Sequence, residues 1–342
     1  MKNLDELPFP EMEMFVKEGR LYEPIFDEQG KFKKKIDFIF SRGCPFDCNY
    51  CSNTALKQFY GCNFVRSQSV ERSIDQIKYT NNNYSVDYFT FHDDIFTLDR
   101  EWTKSFLARY KKEIGLPFEC NLRVGINCDD EIIGLLKDAG CFLVKIGLES
   151  GSDHVRVDIL NRRMKNADII DTFKRFKKHG IKVMSFVMMG FPNETVSDFL
   201  ETADLVSKID PDEYALYIFY PYPGTRLYEY CRKHRLLDKK LDLGSITERR
   251  DPVLKSNTFK KEDVAYFFNN FAMMVNFGAG AYNGKWIAKP YRKICYLLYT
   301  VPPSKKIWFK LSQLVLIGLR CAMIYLKAIY KLFFTKSNVY LK

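Results

Sequence analysis

Three cysteines, Cys44, Cys48 and Cys51, stand in the stretch Arg42-Gly43-Cys44-Pro45-Phe46-Asp47-Cys48-Asn49-Tyr50-Cys51, with three and then two residues between them. An aromatic, Tyr50, precedes the third. Three thiolates from one short loop suit an iron–sulfur cluster in which one iron keeps an open coordination position. A structural zinc or a purely electron-transferring cluster wants four protein ligands, and here the next cysteine is Cys62, eleven residues on. From the residues alone two plainer readings stay open: a zinc loop completed by Cys62 or a distant group, and chance clustering among ten cysteines.

Further reactive groups recur along the chain, each where an apolar run gives way to polar and glycine residues. They are Phe91-His92-Asp93-Asp94, Arg123, Gly147-Leu148-Glu149-Ser150-Gly151-Ser152, Met188-Met189-Gly190-Phe191-Pro192-Asn193-Glu194-Thr195 and Tyr220-Pro221-Tyr222-Pro223-Gly224-Thr225. The runs before them, and the one before the cysteines, read as strands: Ile36–Ser41, Tyr88–His92, Glu119–Val124, Phe142–Gly147, Val183–Met189 and Tyr214–Tyr220. Helical spacing of apolar residues follows each, at Val70–Thr80, Arg100–Lys112, Glu131–Ala139, Ala167–His179, Val196–Lys208 and Arg226–His234. Strict alternation predicts a parallel sheet with crossover helices. Six units are too few to close an eight-stranded barrel. The expected class is therefore α/β, a partial (β/α)6 TIM-like barrel with a helical C-terminal extension. Ligands in such folds gather at the carboxyl ends of the strands, where the cysteine loop and the polar groups all fall.

Each group also has a plain structural reading. Arg123 and Glu149 could pair with each other across neighbouring strands. One of Asp93 and Asp94 suits the cap of the following helix. A single His92 at a strand end reads as a satisfied structural group. The cysteines outside the loop form no second cluster motif and read as small buried hydrophobes.

The Cys-x3-Cys-x2-Cys spacing with its aromatic, followed by these strand-end groups in order, resembles the radical S-adenosylmethionine (SAM) superfamily. Within it, the chain resembles the barrel of the cobalamin-binding-domain-associated, magnesium-protoporphyrin ester cyclase-like subgroup. The resemblance implies that Cys44, Cys48 and Cys51 hold a 4Fe-4S cluster whose free iron takes the amino and carboxylate groups of SAM. It implies reductive cleavage of SAM to a 5′-deoxyadenosyl radical acting on a small-molecule or lipid-like substrate, with an electron donor of the flavodoxin or ferredoxin type. It places Tyr50 against the adenine and Asp93 and Asp94 at the SAM amino group. Glu149 then falls at the ribose or methionine part, Met188 and Gly190 beside the adenine, and Arg123 at the SAM carboxylate. No residue is assigned to catalysis on the substrate. Residues 1–34 resemble the linker that follows an upstream cobalamin domain, and no Asp-x-His-x-x-Gly occurs in the sequence. Cobalamin is thus expected only through a partner chain.

Charge divides the molecule. The net charge is +11, yet the last acidic residue is Asp263, and residues 264–342 carry twelve Lys plus Arg. Removing those from the 53 basic residues leaves 41 against 42 acidic ones, so the excess belongs to the tail. The expected division is a linker or arm at 1–34, the core barrel at 35–235, a helical extension closing the open side at 236–284, and a basic tail at 285–342. Within the tail, 305–334 reads as one helix with Lys306, Gln313, Arg320 and Lys327 every seven residues opposite Trp308, Leu311, Val315 and Phe334. No uncharged run reaches the roughly 18–20 residues that span a bilayer. The pattern fits the surface of an anionic membrane or a partner protein. It argues against nucleic acid, because the basic residues border an apolar face rather than form a broad patch. The polar N-terminal residues lack a secretory signal, so the expected place is the cytoplasm, peripheral at the inner membrane face. Two functions stay open: a radical SAM enzyme, or a non-catalytic cluster-binding accessory subunit or truncated remnant of a cobalamin-dependent radical SAM methyltransferase.

Overall fold

The computed structural model describes residues 3–17, 25–26, 32–61, 65–237, 241, 244 and 248–282. Met1–Ala279 form one compact unit. The expected tail helix at 305–334 lies outside the described residues, as do Cys62, Cys295 and Cys321. Among the described residues no helix is long and apolar enough to cross a membrane.

The six expected strands are present: β1 (Lys35–Phe38), β2 (Tyr88–Phe91), β3 (Phe118–Leu122), β4 (Cys141–Glu149), β5 (Lys182–Met189) and β6 (Glu213–Ile218). They form one sheet in sequential order, every neighbouring pair parallel. A right-handed crossover after each strand gives this order, and the sheet stops as a half-barrel with β1 and β6 at its edges. Alternation decides which side chains face where. Along β5, Val183, Ser185, Val187 and Met189 are buried while Met184, Phe186 and Met188 on the other face are half-buried.

Helices follow the strands: α1 (Ser52–Tyr60), α2 (Val70–Asn83), α3 (Arg100–Glu113), α4 (Asp130–Asp138), α5 (Asn166–Lys178), α6 (Val196–Ile209), α7 (Arg226–Lys233) and α8 (Lys261–Tyr282). Side-chain caps start several of them: Ser69, Asp99, Asp129 and Thr225, with a reciprocal Thr195–Asp198 box at α6. Asp99 caps α3, so neither Asp93 nor Asp94 has the capping role considered above. The high aromatic content is concentrated behind β1–β3, where Phe40, Phe91, Phe96, Trp102, Phe106, Tyr110 and Phe118 stack on one another with centroids 4.8–6.4 Å apart.

The extension departs from its expected place. Phe267 and Phe271 of α8 pack on Phe199 of α6, and Phe271 on Tyr214 of β6. Tyr214 lies on the face opposite Tyr217, whose ring neighbours Phe186 on the inner wall. Helix α8 therefore covers the outer, helix-bearing side rather than the open mouth, because its apolar stripe matches the apolar outer surface of α6. The stretch before it reaches β6 instead: Ile218 N donates to Arg249 O at 2.8 Å, and the Arg249 guanidinium lies 5.6 Å from the Tyr217 ring centre.

Candidate active site

The loop that leaves β1 is fastened before the cysteines begin. Asp93 Oδ1 accepts Phe40 N at 3.1 Å, Ser41 N at 2.6 Å and the Ser41 hydroxyl. Ser41 and Arg42 then pair with Ser67 and Arg66 in a short antiparallel ladder. Gly43, at φ 88°, makes a turn that a side chain would strain. Helix α1 starts at once after Cys51, and its first turns grip the loop. Thr54 Oγ1 donates to Cys48 O at 2.8 Å and Lys57 Nζ to Phe46 O at 2.9 Å. Sequence reading missed α1, whose run Ser52–Tyr60 is short and shares the connection between β1 and β2 with α2.

The loop is also tied across the barrel. Asn49 donates from N to Leu160 O (2.9 Å) and from Nδ2 to Ile159 O (2.8 Å), and its carbonyl accepts Leu227 N at 2.9 Å. Asn161 Nδ2 donates to Asp47 O at 2.9 Å. The cysteine loop therefore rests on the segment between β4 and α5 and on the start of α7. That segment contains a π-helical turn, His154–Ile159. The fully buried Arg156 holds the turn, donating to Ser150 O at 2.7 Å and Met164 O at 3.2 Å.

Cys44, Cys48 and Cys51 are free thiols on the wall of a cavity of about 360 Å³ that continues down the inner face of the half-barrel past Asn121, Lys145 and Phe186. Two guanidinium groups meet at Cys48: Arg123 Nη1 lies 3.7 Å and Arg162 Nη1 3.8 Å from its Sγ. Arg123 also lies over the Phe46 ring at 3.9 Å. Arg162 Nη2 donates to Gly147 O at 2.5 Å and sits 3.9 Å from Glu149 Oε1. Burial works against the Arg162 charge, but Tyr50, Glu149 and Cys48 around it hold the guanidinium above the usual arginine range. Burial raises the Glu149 carboxyl above its usual range, against the pull of Arg162 and of a hydrogen bond from Tyr50.

Backbone irregularity puts Glu149 there. The β4–β5 register slips between Gly147 and Glu149, and Glu149 has φ 65°, a left-handed conformation rare outside glycine. A Cβ at Gly147 would collide with Glu149 Oε1 and Arg162 Nη2, so the glycine makes room for that pair.

The other expected residues divide. Tyr50, Asp94, Arg123 and Glu149 line the cavity with the three cysteines, and so does His92. Asp93 does not; it serves the β1 exit and offers its main-chain carbonyl to Asn121 Nδ2 at 3.3 Å. Met188 packs, half-buried, with Tyr50 against a core of Val155, Leu160, Phe191 and Phe219. Gly190, at φ 80°, donates its N–H to Glu194 Oε2 at 2.5 Å and lies beside Ile218 and Val264. No ion pair forms between Arg123 and Glu149 among the described residues; Arg162 takes that place. His92 Nε2 lies 3.4 Å from Asp37 Oδ1, the structural role expected of it.

Sequence reading missed Arg162, Lys145 and Phe186, and it gave Glu194 no role of its own. Lys145 shares its strand face with Gly147 and Glu149, and Phe186 shares one with Met188, so the period of two could have found both. Arg162 follows an irregular turn, where no period applies. Of the remaining cysteines, Cys120, Cys141 and Cys231 are buried and Cys128 is half-buried, as expected.

The donor set fits a polynuclear cluster. Among the described residues no three His, Cys, Asp or Glu side chains converge on a point that could hold one metal ion. A cubane takes each thiolate on a different iron, so its ligand sulfurs stand apart. Burial pushes the Cys51 thiol up to about 11 and raises that of Cys44; a bound metal deprotonates the thiols that coordinate it.

An open six-stranded parallel barrel with three cysteines on the loop after its first strand defines a radical SAM fold. The sequence profile of the radical SAM superfamily matches residues 38–206. An uncharacterized methyltransferase of Pyrococcus horikoshii is 29% identical over 270 residues, which are 78% of this chain and 54% of that protein. The anaerobic magnesium-protoporphyrin IX monomethyl ester cyclase of Rubrivivax gelatinosus is 25% identical over 192 residues, 56% of this chain and 34% of the cyclase. Among solved structures, the cobalamin-dependent SAM radical enzyme OxsB, with aqua-cobalamin and SAM bound, superposes with a TM-score of 0.54. The match is 14% identical and covers 91% of this chain and 57% of OxsB. The chain belongs to the radical SAM superfamily and resembles its cyclase-like, cobalamin-associated branch. It spans about half the length or less of the first curated relatives it matches.

Proposed function

We propose that this chain carries a 4Fe-4S cluster on Cys44, Cys48 and Cys51 and cleaves SAM reductively, directing the 5′-deoxyadenosyl radical at a carbon–hydrogen bond of an organic substrate in the half-barrel. When bound, the cluster supplies the electron and the open iron site that grips the SAM amino and carboxylate groups. The observation that carries this reading is the convergence of three free thiols, two arginines and two carboxylates on one cavity that opens into the barrel.

The chain's own residues have distinct tasks. Asp94 and Glu149 face the cavity and suit the amino group and the ribose or methionine part of SAM. Tyr50, with Met188 and Phe191 behind it, forms a flat apolar shelf for adenine. Gly190 acts at one remove, fixing the β5 turn through Glu194. Asp93 aims the loop through its side chain. Arg123 answers the negative charge of the site. The cavity walls exclude water from the reacting atoms.

The named relatives include a methyltransferase and a cyclase. The reading extends to chemistry of that kind on a small-molecule or lipid-like substrate, with electrons from a flavodoxin or ferredoxin type donor and cobalamin, where used, from a partner chain. The test is anaerobic reconstitution with iron and sulfide, then dithionite and SAM, with 5′-deoxyadenosine followed by mass spectrometry. Slow release without substrate is expected. Purified protein that holds zinc, or a cluster whose spectrum ignores SAM, sinks the reading.

A further inference from the structure

Arg123 and Arg162 are both buried, and both donate to the same sulfur. Burial, together with the Arg162 charge, works against the charge of Arg123. Among the described residues no carboxylate lies within ion-pair distance of Arg123, and Arg162 has only Glu149, at 3.9 Å. The buried Arg162 Nε has no hydrogen-bond partner. An unpaired buried charge costs several kcal/mol, so two cations with one distant carboxylate mark a place built for an anion.

We propose that Arg123 and Arg162 are the counter-charge of the reduced cluster and raise its reduction potential through Cys48. The inference rests on the cluster assigned above to Cys44, Cys48 and Cys51. A reduced cluster bears one more negative charge than the oxidised one. Cations and hydrogen bonds at a ligand sulfur stabilise that extra electron, and burial keeps water from screening them. The arginines are positioning residues: they set how readily the electron enters and touch no substrate. Among the described residues the hydrogen bonds of both arginines to a cysteine go to Cys48, so the effect is delivered mainly at the iron it would ligate.

The test is a redox titration of the reconstituted protein without SAM, read by electron paramagnetic resonance of the reduced cluster, with iron and sulfide quantified in every sample. Arg123→Gln and Arg162→Gln should each bind iron like the parent. At the solution potential where half of the parent clusters are reduced, each variant should show about a tenfold lower reduced-to-oxidised ratio, equivalent to 59 mV for one electron. Arg123→Lys and Arg162→Lys, which keep the charge, should recover most of it. Ratios equal to the parent at equal iron content overturn the proposal. So does a shift that appears only after SAM is added, since the arginines would then serve the SAM carboxylate. Arg162 also holds the Gly147 carbonyl, so if Arg162→Gln takes up no iron, Arg123→Gln decides. If the parent itself takes up no 4Fe-4S cluster, the underlying assignment has failed, which is a different result from a parent that titrates like its variants.

Discussion

The inner wall of the half-barrel changes character between β4 and β5. On β1–β4 it is ionic. Lys35 and His92 flank Asp37 at 3.2 and 3.4 Å, and Lys145 Nζ meets Glu119 Oε1 at 2.6 Å, with Thr90 Oγ1 on the same oxygen at 2.7 Å. Arg123 and Glu149 stand above them, at the mouth. On β5 and β6 the wall is Met184, Phe186, Met188 and Tyr217, with the Phe186 and Tyr217 rings 6.4 Å apart. Burial works against the Asp37 charge, but the His92 hydrogen bond and Lys35 hold its carboxyl below the usual range. Glu194, the buried acid in the turn after β5, forms no ion pair among the described residues, and burial pushes it up to about 8. One side of the lumen is thus arranged to hold charges, and the other to hold hydrocarbon. That division suits an ionic cofactor and an apolar reacting carbon sharing one cavity.

The largest effect should come from the mouth of the ionic side. Cys48→Ala removes the sulfur on which both arginines converge and one of three cluster ligands. Iron content after reconstitution should collapse, and 5′-deoxyadenosine formation should fall to background. A variant that keeps parental iron content and activity would show that the charged mouth is organised around something other than a cluster.

Deeper on the same wall, Lys145→Met leaves Glu119 buried with only Thr90 to answer its charge. Losing one partner of a buried pair costs about 3 kcal/mol, since the survivor keeps its desolvation penalty. Urea unfolding should show a loss of that order, and the double variant Lys145→Met with Glu119→Gln should regain most of it. If the single variant stays within about 0.5 kcal/mol of the parent, the pair is solvated and the ionic wall is ordinary surface.

Much of this contrast was legible before any coordinates. The apolar runs placed six strands to within a few residues, because strands buried under helices read as apolar stretches bounded by polar and glycine residues. The cysteine loop, Asp94, Arg123 and Glu149 were legible because they fall at strand ends. Arg162 was not: it reaches the site from a π-helical turn, and its contacts span 114 residues of sequence to Cys48. The hold of the Asp93 side chain on the β1 exit was not legible for a related reason. Two adjacent acids look alike in sequence, but successive side chains at a strand end point to opposite sides, so one enters the cavity and the other turns to Phe40 and Ser41. The extension was misplaced because an amphipathic helix declares that it has an apolar face and not which surface receives it.

The smallest effect tests the apolar side. Glu194 is fully buried, and its Oε2 accepts the N–H groups of Gly190 at 2.5 Å and Phe191 at 2.9 Å while Oε1 has no partner. Burial outweighs those two bonds and raises the carboxyl from an ordinary 4.5 to about 8, with Asp198 adding to the rise. An acid whose folded value is raised keeps its proton after the unfolded chain has lost it. Its contribution is whole below the unfolded value and declines as pH climbs through the folded one. The parent should therefore lose stability between pH 5 and 8. Glu194→Gln keeps an oxygen for the two N–H groups and does not titrate, so its loss over that interval should be smaller by at least about 1 kcal/mol. Denaturant midpoints of both proteins at the two pH values read this directly. Parallel pH profiles would mean that Glu194 is ionised in the folded chain, and that the apolar half holds a charge as readily as the ionic half does.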